Sequence, residues 1–217
     1  MTTTFKTCNK EFVEQLIEKQ PEGTNTRFLN SAHSLWFRFH NYDSNPPLVM
    51  FDDDVPVALI FATQSKRSRY VNLYEIVTLE GKEGNGYASR IWSQYMQGAF
   101  DNGMERLKLS CTPSSVTWHA RNGLVFWAVD PSGSLRSDQP LFRSRQEQID
   151  FRDRAIKDPT IALPDTKVAA KLIEEGINDH GFGAKKLAKT QEAIDSVGNF
   201  WLRDALLADK PSLEEWF

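Results

Sequence analysis

Residues 70–100, YVNLYEIVTLEGKEGNGYASRIWSQYMQGAF, decide the fold. The first ten are rich in β-branched and aromatic side chains, the composition of a strand. Beyond the turn, Ala88, Ile91, Trp92, Tyr95, Met96 and Ala99 recur at intervals of three and four, which places them on one face of a helix. Between the two lies Gly81-Lys82-Glu83-Gly84-Asn85-Gly86, a turn that opens the helix with few side chains in the way. The first N–H groups of a helix have no internal partner and carry the positive end of its dipole, so such a turn suits an anionic phosphate group. A phosphate-bearing cofactor is the expected guest.

Spacing separates the phosphate loops. A Walker loop needs Lys-Ser or Lys-Thr directly after its last glycine, whereas Gly86 is followed by Tyr87-Ala88. A dinucleotide fingerprint needs Gly or Ala at Ser89 and an acidic residue ending the next strand, and residues 106–111 end in no carboxylate. A glycine turn with no ligand is the remaining alternative.

The turn resembles the Gln/Arg-x-x-Gly-x-Gly/Ala signature of the GNAT superfamily of acyl-CoA-dependent N-acyltransferases, with Gly81 standing where that family carries Gln or Arg. The order of elements is similar too: a hairpin from 48–51 to 57–62 across Asp52-Asp53-Asp54, the long strand, the glycine turn, a helix, and a strand at 106–111. Residues 114–126 then resemble the family's short helix ending in Phe-Tyr-x-x-x-Gly-Phe, with Trp118 in the Phe place, His119 in the Tyr place and Gly123-Leu124 in the Gly-Phe place. The resemblance covers residues 1–142. It implies an α/β (α+β) fold: a mixed, mostly antiparallel sheet with helices on both faces, whose fourth and fifth strands splay apart to admit acyl-CoA. It further implies that the diphosphate sits on the amides of Gly84, Asn85, Gly86, Tyr87 and Ala88, next to Gly81 and Lys82. The pantetheine arm would pair with the strand end at Ile76, Val77 and Thr78. The absent Gln or Arg at Gly81 removes one usual donor.

The 217 residues, 40% apolar, suffice for one substantial core with an appendage. No apolar run approaches the length of a membrane span, and the first residues lack the apolar stretch of a signal peptide. Two cysteines, Cys8 and Cys111, are too few for a disulfide framework, so the cytoplasm is the expected compartment. Lys and Arg number 26 against 29 Asp and Glu, a formal net charge of −3 with the signs interspersed, which is not the footprint of a nucleic-acid binder. The basic cluster Lys66, Arg67 and Arg69 is a solvated hairpin tip or a contact for an acidic group.

Elsewhere, residues 3–8 suggest an edge strand, and Asn9 an N-cap for a helix Lys10–Lys19 with Phe12, Val13, Leu16 and Ile17 on one face. Residues 26–40 form an aromatic-rich helix with Phe28, Leu29, Leu35, Trp36, Phe37 and Phe39, most of which are expected to pack in the core, although in the family this region borders the acceptor pocket. Short strands are expected at 126–129 and 139–142, with a turn at 130–134. From 143 the character changes to polar helices at 146–157, 167–177, 184–197 and 199–207, giving an acyltransferase domain 1–142 and a helical extension 143–217 packed on it.

Direct acyl transfer needs a neutral amine, donors for the developing oxyanion and a proton for the leaving thiolate. Glu75, in the strand bordering the acyl site, is the first candidate for the base; strand register decides whether it faces that site or solvent. Tyr74 projects to the opposite face of a regular strand and inherits the role if Glu75 turns away. His119 takes the place of the family's proton-donating Tyr, a task open to an imidazole with a pKa near neutrality; the alternative is a structural histidine. Cys111 is read as a structural thiol rather than an acyl carrier, Ser114 and Ser115 as caps of the following helix, and Arg121 as a surface residue. His33, His40 and the three aspartates match no metal-ligand spacing, and no metal is expected. The resemblance thus implies an N-acetyltransferase that moves an acetyl group from acetyl-CoA to an amine by direct attack in a ternary complex. The acceptor is a small amine, an aminoglycoside or a protein amine, with no membrane partner; a modified nucleobase is disfavoured by charge. The alternative is a GNAT-like binding module without activity.

Overall fold

The apolar run at 57–62 becomes the middle of the longest strand, β3 (Val55–Ser65), buried on both faces as a central strand must be. In this computed structural model, which describes residues 2–129, 133–162 and 184–202, the chain divides into two units, Met1–Met104 and Glu105–Phe217. The fold class is the expected one, α/β with mostly antiparallel strands.

The first unit holds β1 (Thr3–Thr7), α1 (Lys10–Lys19), α2 (Thr24–Phe39), β2 (Leu48–Asp52), β3, β4 (Tyr70–Thr78) and α3 (Tyr87–Asp101). Its four strands pair antiparallel in chain order. The expected hairpin turns at Asp53 and Asp54, both left-handed (φ 46° and 63°), a two-residue geometry that matches strand twist and that Asp tolerates. On one face of β3, Leu59 and Phe61 join Val13 and Leu16 of α1, Leu29 and Trp36 of α2, and Val77 of β4 in one apolar cluster. On the other face Gln64 reaches Tyr95 of α3, so the helices lie on both sides. Asn9 caps α1 as expected, its side chain accepting from Phe12 N–H at 3.0 Å. In α2 only Leu29, Ala32 and Trp36 fall on the buried stripe; Phe28, Leu35, Phe37 and Phe39 are exposed, which corrects the core-packing expectation for those four.

The second unit holds β5 (Arg106–Cys111), α4 (Val116–Arg121), β6 (Ala128–Val129), β7 (Leu135–Pro140), α5 (Arg145–Lys157), a 3-10 turn Pro159–Ala162, α6 (Ala184–Val197) and a second 3-10 turn Gly198–Phe200. β7 lies between β5 and β6, antiparallel to both. It starts four residues earlier than the strand expected at 139–142, because its polar residues hide it from a hydropathy pattern: Ser137, Asp138 and Gln139 are all buried. Asp138 meets Arg106 at 2.9 Å and Lys108 at 3.6 Å, and Gln139 accepts from Val125 N–H at 2.8 Å while donating to Gly123 C=O at 2.9 Å. The strand expected at 126–129 is reduced to Ala128–Val129, with Phe126 bridged instead to Trp201. Phe151 and Ala155 of α5, Ala162 and Leu202 pack on Val125, Trp127 and Ala128, so the polar-looking tail supplies part of this core. The helix expected at 167–177 and residues 203–207 lie outside the described residues.

Ser144 and Glu147 form a reciprocal capping box at the start of α5, Ser144 Oγ accepting from Glu147 N–H at 3.2 Å and Glu147 from Ser144 N–H at 2.9 Å. Ser144→Ala is expected to lower the melting temperature by about 2–4 °C, readable by calorimetry.

Candidate active site

Gly81, Gly84 and Gly86 all adopt left-handed backbone (φ 74°, 78° and 73°), the conformation that only glycine adopts without strain. A Cβ at any of the three would meet no atom within 4 Å, so the space above the loop is empty of protein. Gly86 is the N-cap of α3 and no side chain caps it, which leaves the N–H groups of the first turn, from Tyr87 to Ser89, ahead of the first helical bond from Arg90 N–H to Gly86 C=O at 3.1 Å. Asn85 folds its amide back onto the carbonyls of Lys82 and Glu83 at 3.2 and 3.1 Å, which fixes the bend and clears the outer side. Tyr87 is held by Asp52, its hydroxyl donating at 2.7 Å, and the Arg90 guanidinium lies over the Tyr87 ring at 5.7 Å. The loop is therefore an open rim of amides at the positive end of a helix, with a cation one turn in.

Upstream, β4 is not a regular strand. Leu73 pairs with Ala62 and Glu75 with Phe61, so Tyr74 is an extra residue, a β-bulge. Residues paired across two strands share a face, which puts Glu75 beside Phe61 on the α1/α2 side. Tyr74 is on that side as well: its ring meets Trp36 at 5.2 Å and His40 at 4.6 Å, while it stays 49% exposed. Strict alternation, with Tyr74 and Glu75 on opposite faces, is thus corrected. The half-buried Glu75 carboxyl is pushed up to about 7 by loss of hydration, against a smaller opposing hydrogen bond from Ile76 N–H. A carboxyl at that level is half ionised near neutrality and suited to taking a proton.

His119, in α4, is buried, and burial pushes its imidazole down to about 4. Its Nδ1 has no hydrogen-bond partner and its ring meets Trp118 edge-on at 4.9 Å. The near-neutral pKa expected of a proton donor is therefore absent. Because the folded state binds this proton more weakly than the unfolded chain, stability present above pH 6.5 is lost as pH falls toward 4. In His119→Leu, the drop in melting temperature between pH 7 and pH 4.5 is expected to shrink by several degrees.

Gly123 of the second signature is fixed twice over. Its φ is 90°, and a Cβ there would come within 2.6 Å of the Gln148 backbone in α5. Arg152 donates to Ala120 C=O at 3.1 Å, and Arg145 donates to Arg121 C=O at 3.2 Å and to the Asn122 side chain at 2.7 Å, so two cations meet the negative end of α4. Arg121 is exposed.

The other candidates fall to structural roles. Cys8 is buried, donates to Pro47 C=O, and is pushed up to about 12 by burial; Cys111 is buried as well. His33 pairs with the Tyr42 hydroxyl at 2.8 Å and lies 3.6 Å from Glu14, and the His40 ring packs tilted on Trp36 and edge-on to Tyr74. Among the described residues no group of three His, Cys, Asp or Glu is arranged to hold a metal, and no helix is long and apolar enough to cross a membrane. Arg69 of the basic cluster donates to Gly103 C=O at 3.1 Å. Three features carried no pattern in the sequence: the bulge at Tyr74, the clasp of α5 on α4, and Glu80, whose carboxylate caps α2. Each depends on partners distant in the chain.

The model of the acetyltransferase (GNAT) family matches residues 10–123, and the chain belongs to that family of acyl-CoA N-acyltransferases. Among solved structures it is similar to a chimera of the spermidine N-acetyltransferase SpeG from Vibrio cholerae and hSSAT, at 10% identity over 69% of this chain and 99% of that one, with a TM-score of 0.51. It is also similar to the PaiA N-acetyltransferase from Thermoplasma acidophilum in complex with coenzyme A, at 11% identity over 64% and 99% of the two chains with a TM-score of 0.48. A third is the ribosomal-protein-S18-alanine N-acetyltransferase from Escherichia coli, at 8% identity over 64% and 94% with a TM-score of 0.49. At 10% identity the likeness to the first of these speaks to the fold alone. No curated protein sequence matches the chain.

Proposed function

We propose that this protein transfers an acetyl group from acetyl-CoA to an amine by direct attack within a ternary complex, with residues 1–142 as the acyltransferase part and 143–217 as a helical extension. The observation that carries this reading, beside family membership, is the open rim of amides from Gly84 to Ala88 at the start of α3. The diphosphate of acetyl-CoA sits there, near Gly81 and Lys82, with the pantetheine arm along Ile76, Val77 and Thr78. Arg90 supplies the positive charge that Gly81 does not. Glu75 takes the proton of the acceptor amine as its nitrogen bonds to the thioester carbon; the C–S bond breaks, and the thiolate leaves with a proton. Tyr74, half-exposed beside Glu75, is the better donor for that sulfur than His119, whose imidazolium is scarce at neutral pH.

The acceptor is a small amine or a protein amine; a formal charge of −3 argues against nucleic acid. A second reading, a coenzyme-binding module without activity, is favoured by Gly81 and by the low pKa of His119. Titration calorimetry with acetyl-CoA, followed by thiol release measured with a panel of small and peptidyl amines, tests both. Binding with amine-dependent thiol release supports the transferase, binding alone supports the module, and no binding refutes both.

A further inference from the structure

Glu80 follows β4 and precedes the glycine loop, yet its carboxylate serves another element. Its Oε2 accepts from the backbone N–H groups of Asn25 at 2.9 Å and Thr26 at 3.2 Å, in the first turn of α2. That helix has no side-chain cap of its own, because its N-cap is Gly23. Gly23 is in extended backbone, which any residue adopts, so conformation does not demand a glycine there. The Glu80 carboxylate, however, fills the position that a Cβ at residue 23 would take, so any larger residue there must swing that carboxylate aside. Two residues on, the Asn25 amide donates to the Glu83 carboxylate. Both carboxylates of the loop region are thereby held on the start of α2, where backbone amides and the helix dipole favour negative charge.

The other end of α2 is attached to the same stretch of chain. Trp36 and His40 pack on Tyr74. From 74 to 80 an extended chain covers about 20 Å, and the length of α2 from its first turn to His40 is about the same. The helix is thus a strut clipped at one end to the bulge that carries Glu75 and at the other to the loop that opens α3.

We propose that Glu80 is a positioning residue for coenzyme binding: by capping α2 it anchors the loop 81–86 and keeps its own charge off the diphosphate. This rests on the reading of that loop as the diphosphate site. Removing the anchor weakens binding because the loop must then be ordered by the ligand. Displacing the carboxylate without removing it weakens binding further, because a free anion is left beside an anionic ligand.

Calorimetry with CoA on the full chain distinguishes these effects. Glu80→Ala is expected to bind about 3–5-fold more weakly than wild type, and Gly23→Ala at least about tenfold more weakly. In the double variant the new Cβ meets no carboxylate, so affinity is expected to return to that of Glu80→Ala, a rescue that a plain loss of helix capping does not produce. Glu80→Gln keeps an acceptor oxygen and is expected to recover affinity to within about threefold of wild type. In turnover, KM for acetyl-CoA is expected to follow these affinities while kcat at saturation stays within about twofold. Amide exchange at Asn25 and Thr26 without ligand, expected to quicken in Glu80→Ala and Gly23→Ala, reads the clip alone. If wild type binds CoA and Gly23→Ala binds it equally well, or if the two substitutions add, the inference is wrong and the coenzyme reading stands. If wild type binds no CoA, both fall.

Discussion

Glu75→Gln is expected to lower kcat/KM for the acceptor amine by about two to three orders of magnitude, with KM for acetyl-CoA little changed, the loss usual for a general base. The substitution keeps shape and removes only the capacity to take a proton. In the wild type the carboxylate must be ionised to act, so kcat/KM, expressed per concentration of neutral amine, is expected to rise through about pH 7 and level off above it. That limb is expected to vanish in Glu75→Gln and to persist in His119→Leu, because burial holds the wild-type His119 imidazole down at about 4, away from 7. The same substitution is expected to stabilise the fold in alkali. The folded carboxyl holds its proton to about pH 7 and the unfolded one to about 4.5, so the stability that Glu75 contributes below pH 4.5 is lost as pH rises through 7. Glu75→Gln is therefore expected to melt at about the wild-type temperature at pH 4 and higher at pH 8.5. The difference is worth up to about 3 kcal/mol, checked by thermal melts across that range. A variant less active and more stable is the signature of a site held against its own stability.

Gly86→Val is expected to weaken CoA binding by more than about a hundredfold while the protein still folds. Two effects combine. A β-branched residue at φ 73° strains the backbone by about 1–2 kcal/mol, which tilts the first amides of α3. The new side chain also projects into space that no protein atom occupies, the space assigned to the diphosphate. Calorimetry with CoA measures the loss, and a melting curve separates it from unfolding. Unchanged affinity would move the coenzyme off this loop.

The features legible in the sequence are those encoded by neighbours along the chain. The glycine turn, the apolar stripe of α3, the Asn9 cap and the 48–62 hairpin are local patterns, and each appears where its residues place it. The features that were not legible depend on distant partners. The bulge at Tyr74 exists because β3 and β4 lose step by one residue, so no count along β4 alone reveals that Tyr74 and Glu75 share a side. The strand at 135–140 is polar and buried, and its partners Arg106, Lys108 and Val125 N–H come from other segments. Residues 143–162 read as polar helix belonging to an extension packed on the core, and their pattern does not tell which side chains are buried; Phe151 and Ala155 pack against Trp127. The pKa of His119 illustrates the same limit: residue type suggests a titration near neutrality, and only burial moves it away.

The two glycine motifs are constrained in opposite ways, with consequences for how such a sequence drifts. At 81, 84 and 86 nothing crowds the missing side chains, so a substitution is met only by local torsional strain and by whatever the loop receives. Gly123 instead abuts the main chain of a neighbouring helix, and any larger residue must push that helix aside. In this chain a side chain added at 81, 84 or 86 thus displaces no neighbouring element, while position 123 is locked by architecture alone.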